Sequence, residues 1–595
     1  MAEAFQPYFV LVILFLAFTL IYLEVLRPAV SFLLAVLIFT ITGILDTPHV
    51  LAGFSNSSII VIILLIVVTA GLRKNFRLEL IFDLIFKKSK TYRNFLLRMM
   101  AQVSILSAMI NNTAVVALMT PYVYNYGRKN NIAPSKLLIP LSYATIMGGM
   151  ITLIGTSTTL VLNGFIIEEG LKELRFNDLL FIGLFVTITG ISFIVLLGHK
   201  LLPNHTDTLQ NFSEKSREYL IETWLKNKSP LISQTVKDAG LRNLQGVYLV
   251  EIQRHGRMIY PVPPDETIQT GDILFFAGDT TNIMDLINEQ KGLVLPEKAN
   301  DYHQDKTEVI EAVVAEFSTI KGKTVKESNF RNRYDAAIIA IHRNGERIRG
   351  KIGDIQISPG DVLLLYAGRD FSNRVELYKD IYVINKVREI AEPGRKKYYA
   401  IGLIFIGSVI LLITKGLALF PSLLIIFTIM VGFGLISVQD IRRELDFNLI
   451  GILVLSLAIG QAMILSGAGV MVAEWLINLL IPFGRTAVLI GLILIANLLT
   501  SLVGNVGAVS ITFPIALGIG QSLGIDATPY FLGIAYAASA AFITPFSYQT
   551  NLLVYGPGNY NLRDFARIGF PVTLIYLAVA FFALLLLYNE VFIPF

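Results

Sequence analysis

Asn111, Asn112 and Thr113 sit in the middle of the apolar run "SAMINNTAVVALM" (107–119). An amide taken out of water costs roughly 2–7 kcal/mol unless its donors and acceptors find partners. Downstream, Gly155-Thr156-Ser157-Thr158-Thr159 sets four hydroxyls in a row inside another apolar segment. Non-helical backbone at membrane depth is tolerated only inside protein or beside a watery cavity. Amide and hydroxyl oxygens, with carbonyls freed from a helix ladder, make an oxygen-only shell for a hard monovalent cation such as Na⁺. Helix N-termini meeting at the same place offer N–H donors to an anion. Later in the chain Ser501, Gly504-Asn505, Gly507, Thr544-Pro545 and Gln549-Thr550-Asn551 form a thinner version. None of these stretches contains Asp, Glu, Lys, Arg or His. Intramembrane proton relays use ionisable groups, so coupling to protons is the weaker expectation. A dianion held there takes its positive charge from bound Na⁺ and helix dipoles. Helix-to-helix glue is the alternative for a single buried Asn. Two matching clusters favour a site.

The elements that position these groups are membrane helices. The chain is 54% hydrophobic and only 16% charged, against about 25% charged in soluble proteins. Long apolar runs occupy Phe9–Tyr22, Val30–Ile44, Ile59–Leu72 and Leu179–Leu197. They return at Ala400–Ile413, Leu417–Ile436, Leu449–Leu465, Val488–Val503 and Val572–Leu587. Segments of this kind span bilayers, so the expected class is a polytopic α-helical membrane protein in contact with lipid. The first run lacks a basic leader and is expected to stay as a helix. A net charge of +5 gives no reason to expect nucleic acid, and the absence of Cys removes thiolate chemistry. The six histidines are scattered, so the only metal expected is Na⁺ as a coupling ion, with no cofactor. No nucleophile–base pair supports an enzyme.

Three blocks follow: membrane half 1 (1–200), a polar block with strand-like alternation, and membrane half 2 (398–595). With the N-terminus outside and a hairpin at 95–127, nearly all membrane-proximal basic clusters fall on one side. Among them are Arg73-Lys74, Arg128-Lys129, His199-Lys200, Arg395-Lys396-Lys397 and Arg442-Arg443; Lys415 and Arg485 are exceptions. The positive-inside rule makes that side the cytoplasm. The polar block is therefore expected in the cytoplasm and both termini outside. Lys87–Arg98 is expected to be an amphipathic interfacial segment that packs against the hairpin, Glu168-Glu169 to form a solvated loop end, and Tyr555-Gly-Pro-Gly558 to turn the chain.

The polar block repeats itself. Arg242-Asn243 falls on Arg331-Asn332, Arg254-x-Gly256 on Arg343-x-Gly345, and Gly271-Asp272 on Gly360-Asp361 at one constant offset. Each unit reads as a short helix, a strand, a Gly turn and a "GD" turn into a last strand. The pair resembles tandem TrkA C-terminal (RCK-C) domains, at 211–295 and 305–385. That resemblance implies a dimerising module with room for a small regulatory ligand; a ligand-free spacer is the plainer alternative. There is no Gly-x-Gly-x-x-Gly after a strand, so no dinucleotide-binding half is expected.

The membrane halves also echo each other. "NNTAVVALMTPYVYNYG" at 111 lies over "GNVGAVSITFPIALGIG" at 504, an offset of 393. "GTSTTLVLNG" (155–164) lies over "SYQTNLLVYG" (547–556), one residue out of that register. This predicts a second hairpin at 486–518 and broken helices near 155–159 and 544–551. Paired interrupted segments in two halves point to a transporter's midplane site, with the halves as inverted repeats.

These motifs resemble the divalent-anion:sodium symporters, the sodium/sulfate–dicarboxylate family. "NNTAVVALMTP" is similar to its Ser-Asn-Thr hairpin tip and "GTSTTL" to its Gly-Thr-Pro-Pro-Asn-Leu break. "SAAFITPFSYQTNLLVYGPGNY" (539–560) resembles the branch with TrkA-C inserts, often associated with sulfate. The resemblance implies one Na⁺ at Ser107, Asn111, Asn112, Gly155 and Thr156, and a second at Thr500, Gly504, Asn505 and Thr544. It places the substrate among Asn112, Thr113, Ser157, Thr158, Thr159, Asn505, Val506, Gly507, Gln549, Thr550 and Asn551. Gly504 and Val506 replace a Ser and a Thr of the family pattern, which thins the second wall and suits a compact anion; in the first half Asn111 replaces a Ser and Thr159 an Asn. The function implied is Na⁺-coupled import of a small divalent anion, sulfate first, by alternating access. It is expected in a homodimer of a prokaryotic plasma (inner) membrane. The alternatives are a C4-dicarboxylate symporter and an anion channel gated by the polar modules.

Overall fold

The structure is a computed structural model of the chain. It describes residues 5–592 apart from 76–90, 206–219, 226–228, 242–246, 279–292, 295–307 and 385–418. Positions 24, 27, 131, 256, 316–317, 344–345, 349–351, 369, 379 and 446 are also outside it. The predicted run Ala400–Ile413 and the basic cluster 395–397 lie outside the described residues.

The first membrane half opens with α1 (Gln6–Tyr22), α2 (Pro28–Ile41), α3 (Thr47–Ser55) and α4 (Ser57–Asn75). Their sequences are apolar on every face. One face packs on protein, while side chains such as Phe15, Leu33 and Leu37 stay exposed on the other, as a bilayer-facing helix requires. Then α5 (Tyr92–Ser107) and α6 (Asn112–Lys129) form the predicted hairpin. Phe95, near the start of α5, stacks on Tyr126, near the end of α6, with centroids 3.6 Å apart. The hairpin thus runs from 92 rather than 95. Arg93–Arg98 belongs to α5, where Phe95 and Leu96 are buried; residues 87–90 are outside the described set.

Next comes α7 (Leu138–Gly149), in which every residue is buried, and then a non-helical segment at 150–156 before α8 (Ser157–Glu168). Ser157, Thr158 and Thr159 form the first turn of α8, and the unwound backbone lies before them. The half closes with α9 (Phe176–Leu196).

The polar block folds into two five-stranded antiparallel sheets. The first contains β1 (Leu220–Leu225), β2 (Val247–Arg254), β3 (Arg257–Ile259), β4 (Ile273–Gly278) and β5 (Leu293–Val294), in the order β3-β2-β4-β1-β5. The second contains β6 (Glu308–Val314), β7 (Ala336–Arg343), β8 (Glu346–Arg347), β9 (Val362–Ala367) and β10 (Ile381–Val383). Its order, β10-β6-β9-β7-β8, is the same pattern read from the other edge. Two helices, α10 (Phe330–Tyr334) and α11 (Phe371–Tyr378), accompany the second sheet. The described aligned residues do the same work in each copy; Arg242-Asn243, Gly256 and Gly345 lie outside the described residues. Arg254 grips the buried Asp272 through Nε and Nη2, both at 2.8 Å. Arg343 grips the buried Asp361 through Nε at 2.7 Å and Nη2 at 2.8 Å. Each Asp also caps its own turn, accepting from Gln269 N and Ser358 N respectively. Gly271 and Gly360 before them take φ +87° and +81°, which explains the Gly of each "GD". Each module has its own apolar core.

The second membrane half contains α12 (Leu419–Gly432), α13 (Val438–Glu444), α14 (Phe447–Leu465) and α15 (Ala468–Leu480). Then α16 (Arg485–Leu523) breaks at Gly504, with φ +77° and ψ 171°. Gly491 packs on Leu476 and Leu480, and Gly518 packs on Ala473, all within α15. In a straight helix those two glycines would stand about 40 Å apart. The two arms of α16 therefore fold back on each other as a second hairpin. After it come α17 (Thr528–Ser539), a non-helical segment at 540–548, α18 (Gln549–Tyr555) and α19 (Leu562–Leu587). The turn after Tyr555 forms as predicted, Gly558 N bonding to Val554 O at 3.0 Å.

Candidate functional site

The first hairpin tip is held by its own half. Ser107 Oγ donates to the Thr145 carbonyl of α7 at 2.9 Å, and Thr152 Oγ1 donates to Ala108 O at 2.5 Å. The Asn112 side chain is buried and lies 2.5 Å from Ser107 Oγ and 2.9 Å from the Tyr548 hydroxyl. With its NH₂ turned inward, the amide donates to Ser107 Oγ, Thr145 O (3.1 Å) and Gly155 O (3.2 Å), and its oxygen accepts from Tyr548. That orientation leaves no two acceptors facing each other, so the network favours it. Asn111 caps α6, accepting from Thr113 N at 3.0 Å. Thr113 Oγ1 donates to Gln549 Oε1 at 3.1 Å. Thr156 caps α8 and stands 3.4 Å from the Tyr548 hydroxyl. Thr159 is turned back to the carbonyls of Leu153 and Thr156, which fixes the unwound loop.

The second tip repeats the supports of the first. Ser107 reaches Thr145 O across 38 residues and Thr500 reaches Ala538 O across 38 residues, both at 2.9 Å. Ser104 bonds Ala144 O across 40 residues, and Asn497 bonds Ala537 O across 40. The crossings between halves also come in pairs. Tyr143 donates to Phe542 O at 2.6 Å, and Tyr536 reaches Met150 O at 3.3 Å, each entering the other half's unwound segment. Asn505 Nδ2 donates to Thr158 Oγ1 at 3.3 Å, while its Oδ1 is buried without a hydrogen-bond partner. Val506 is half-buried and Gly507 is packed against Val503 and Phe32.

The structure thus links Asn112, Thr156, Thr158 and Asn505 through the Tyr548 hydroxyl, with the Thr113–Gln549 bond beside them, in a set spanning both halves. It places Thr550 and Asn551 elsewhere. Ser142 Oγ donates to Asn551 Oδ1 at 2.7 Å and lies 2.9 Å from Thr550 Oγ1. Asn551 Nδ2 donates to the Ala541 and Thr544 carbonyls. These two residues lock α18 to α7. Thr544 contributes its carbonyl to that lock. Gly504 has open space around it, and its positive φ is what lets the tip turn.

Sequence reasoning missed Tyr548, Ser142 and the two crossing tyrosines. Tyr548 stands beside Gln549 in the quoted break, but a ring-length reach to the other half has no local signature. Glu168 and Glu169 also differ from expectation. They are half-buried, accepting from Asn56 Nδ2 at 3.1 Å and Gln461 Nε2 at 2.7 Å, because α8 ends against α4 and α14.

The electrostatics follow from helix ends. The helices α6, α8 and the second arm of α16 begin at this set, and α5, α7 and α17 end beside it. N-termini favour an anion, and C-terminal carbonyls favour a cation. No Asp, Glu, Lys, Arg or His side chain belongs to the set, and the described residues contain no cluster of His, Cys, Asp or Glu able to hold a metal.

Five described helices are long and apolar enough to cross a membrane. A model of the citrate transporter family matches residues 13–375 and 409–594. A Chlamydomonas reinhardtii protein named for the sulfur deprivation response is 32% identical over 546 residues, covering 89% of this chain and 93% of that protein. An uncharacterized transporter of Synechocystis sp. is 30% identical over 585 residues, covering 95% and 94%. Sodium/sulfate cotransporter 1 of C. reinhardtii is 23% identical, covering 96% and 88%. With a match across both membrane halves and most of the block between them, this chain belongs to the citrate transporter family and is an integral membrane transporter rather than an enzyme.

Proposed function

We propose that the chain imports a small divalent anion, sulfate, together with Na⁺ by alternating access. The observation that carries this is the set of ligands joining the two halves, Asn112–Tyr548, Thr113–Gln549 and Asn505–Thr158, none of which carries a charge at neutral pH. With no formal positive charge of its own, such a set holds a dianion more tightly when a cation accompanies it, which is the physical basis of coupling. The oxygens of Ser107, Thr145 and Gly155 converge on one point, now met by the Asn112 amide, and suit Na⁺ equally well. Na⁺ is held there with Asn111 and Thr156, and the second ion by Thr500, Gly504, Asn505 and Thr544, where the unpartnered Asn505 Oδ1 is an available ligand. Thr113, Ser157, Thr158, Val506, Gly507 and Gln549 line the anion, while Thr159, Thr550 and Asn551 support that wall from behind. Relatives named sodium/sulfate cotransporters support the choice of ion and substrate.

The hairpins and broken helices move as one bundle against a scaffold of α1–α4 and α12–α15, through which two copies pair. The halves are inverted repeats, and the β-modules are TrkA-C-like domains in the cytoplasm of a prokaryotic cell. Both termini face outward. Competition decides the substrate: in proteoliposomes loaded with the purified protein, unlabelled sulfate is expected to suppress labelled sulfate uptake, with succinate and citrate far weaker. Stronger suppression by succinate or citrate moves the protein to the carboxylates. A current that persists without any Na⁺ gradient replaces the carrier by a channel.

A further inference from the structure

The second β-sheet divides its side chains between two cores. Along β6, Ile310, Ala312 and Val314 face the module's own core, and Val313 joins the core of the membrane domain. Along β9, Leu363 and Leu365 point inward and Val362 joins the membrane core; after β10, Ile384 does the same. Strand alternation gives a half-covered sheet two faces, and here both are buried. No described residue of the first module belongs to the membrane core.

The contact is polar as well as apolar. Tyr124, buried in α6, donates from its hydroxyl to Glu311 Oε2 at 3.2 Å, and Glu311 is itself 3% exposed. The turn at Gly360 lies against Leu552 and Tyr555 of α18. A Cβ added at Gly556 would stand 2.5 Å from Gly360 O and 2.6 Å from Val362 Cγ2. The module is therefore seated on the far ends of α6 and α18. The near ends of those helices carry Asn112-Thr113 and Gln549. Seven residues of α18, about 10 Å of helix, separate the module from the site.

We propose that the second β-module is a rigid cytoplasmic extension of the site-bearing helices. It travels with them through the transport cycle without detaching, so whatever binds the modules loads the site directly. This rests on the bundle movement proposed above.

The chain has no native Cys, so pairs of introduced cysteines can be spin-labelled cleanly in the full-length protein. Lys129 (end of α6), Lys326 (second module) and Arg442 (α13) are exposed. Distances are measured in lipid with Na⁺ plus sulfate and with choline alone. Between the two conditions the Lys129→Cys/Arg442→Cys distance is expected to shift, and Lys326→Cys/Arg442→Cys to shift with it. The Lys129→Cys/Lys326→Cys distance is expected to stay fixed. A change in that third distance alongside the first overturns the proposal. A first distance that never moves overturns the bundle movement, and this proposal with it. Gly556→Ala is a second probe, because Gly556 has helical φ −64° and the nearest atoms to its added methyl belong to Gly360 and Val362 of the module. It is expected to broaden the module-to-helix distance and slow uptake several-fold. An unbroadened distance contradicts the docking described.

Discussion

The carboxamide of Asn112 lies 2.9 Å from the hydroxyl of Tyr548, 436 residues away in the chain. Through that contact the first hairpin tip meets the unwound segment of the opposite half. Tyr548→Phe removes the hydroxyl and keeps the ring. A hydrogen bond of this kind is worth about 1 kcal/mol net, so kcat/KM for the anion should fall roughly five- to tenfold with the protein still folded. Initial uptake rates over a range of substrate concentration measure it. An unchanged kcat/KM would separate Tyr548 from the site.

Asn112 and Ser142 should behave oppositely. Asn112→Ala takes away the group that Ser107, Thr145, Gly155 and Tyr548 share, and is expected to abolish uptake while leaving a folded, monodisperse protein. Ser142→Ala removes the donor to Asn551 deep between α7 and α18. A buried acceptor left alone costs about 1–3 kcal/mol, so that variant should lower the thermal midpoint and retain Na⁺-dependent uptake. Wild-type transport by Asn112→Ala would make the amide helix glue.

Gly504→Ala tests the second tip. With φ +77° and ψ 171°, Gly504 occupies backbone space that is essentially glycine's alone. Nothing crowds its Cβ position, so the effect of Ala is conformational strain of about 1–3 kcal/mol. The expected result is a lower thermal midpoint and impaired uptake, and Gly504→Ser should do the same although it restores the family's hydroxyl. Full activity with Ser would show that the tip bends elsewhere.

Much of this fold was legible in the sequence because its signals are local or repeated. The alignment of 111 with 504 paired Ser107 with Thr500 one turn before each tip, and the structure gives both the same support, to Thr145 O and Ala538 O at one spacing. The repeat aligned Arg254 with Arg343 and Asp272 with Asp361, and the structure shows why both positions recur: each Arg pairs with its Asp. The site was less legible. Thr550 and Asn551 share a motif with Gln549, yet they begin a helix whose turn points them at Ser142 while Gln549 points at Thr113. Glu168-Glu169 looked solvated because their partners Asn56 and Gln461 are remote in sequence. Direction around a helix and reach between halves are tertiary facts, and no short stretch encodes them.

The module pairs can be tested independently of transport. Arg343→Ala strands the fully buried Asp361, and Arg254→Ala strands Asp272. Breaking a buried pair by removing one partner costs about 3–5 kcal/mol, toward the lower end here because each Arg is partly exposed. Either variant should make its module protease-sensitive at a temperature where the parent resists. Equal resistance would mean that the pairs contribute little to the modules.

The central claim is that the neutral set holds its anion only with Na⁺. Initial rates of labelled sulfate uptake into proteoliposomes, with an inward Na⁺ gradient or with choline in its place, test it most directly. Uptake is expected to follow the Na⁺ gradient and to disappear in choline at any pH gradient. Uptake of equal rate in choline would contradict it.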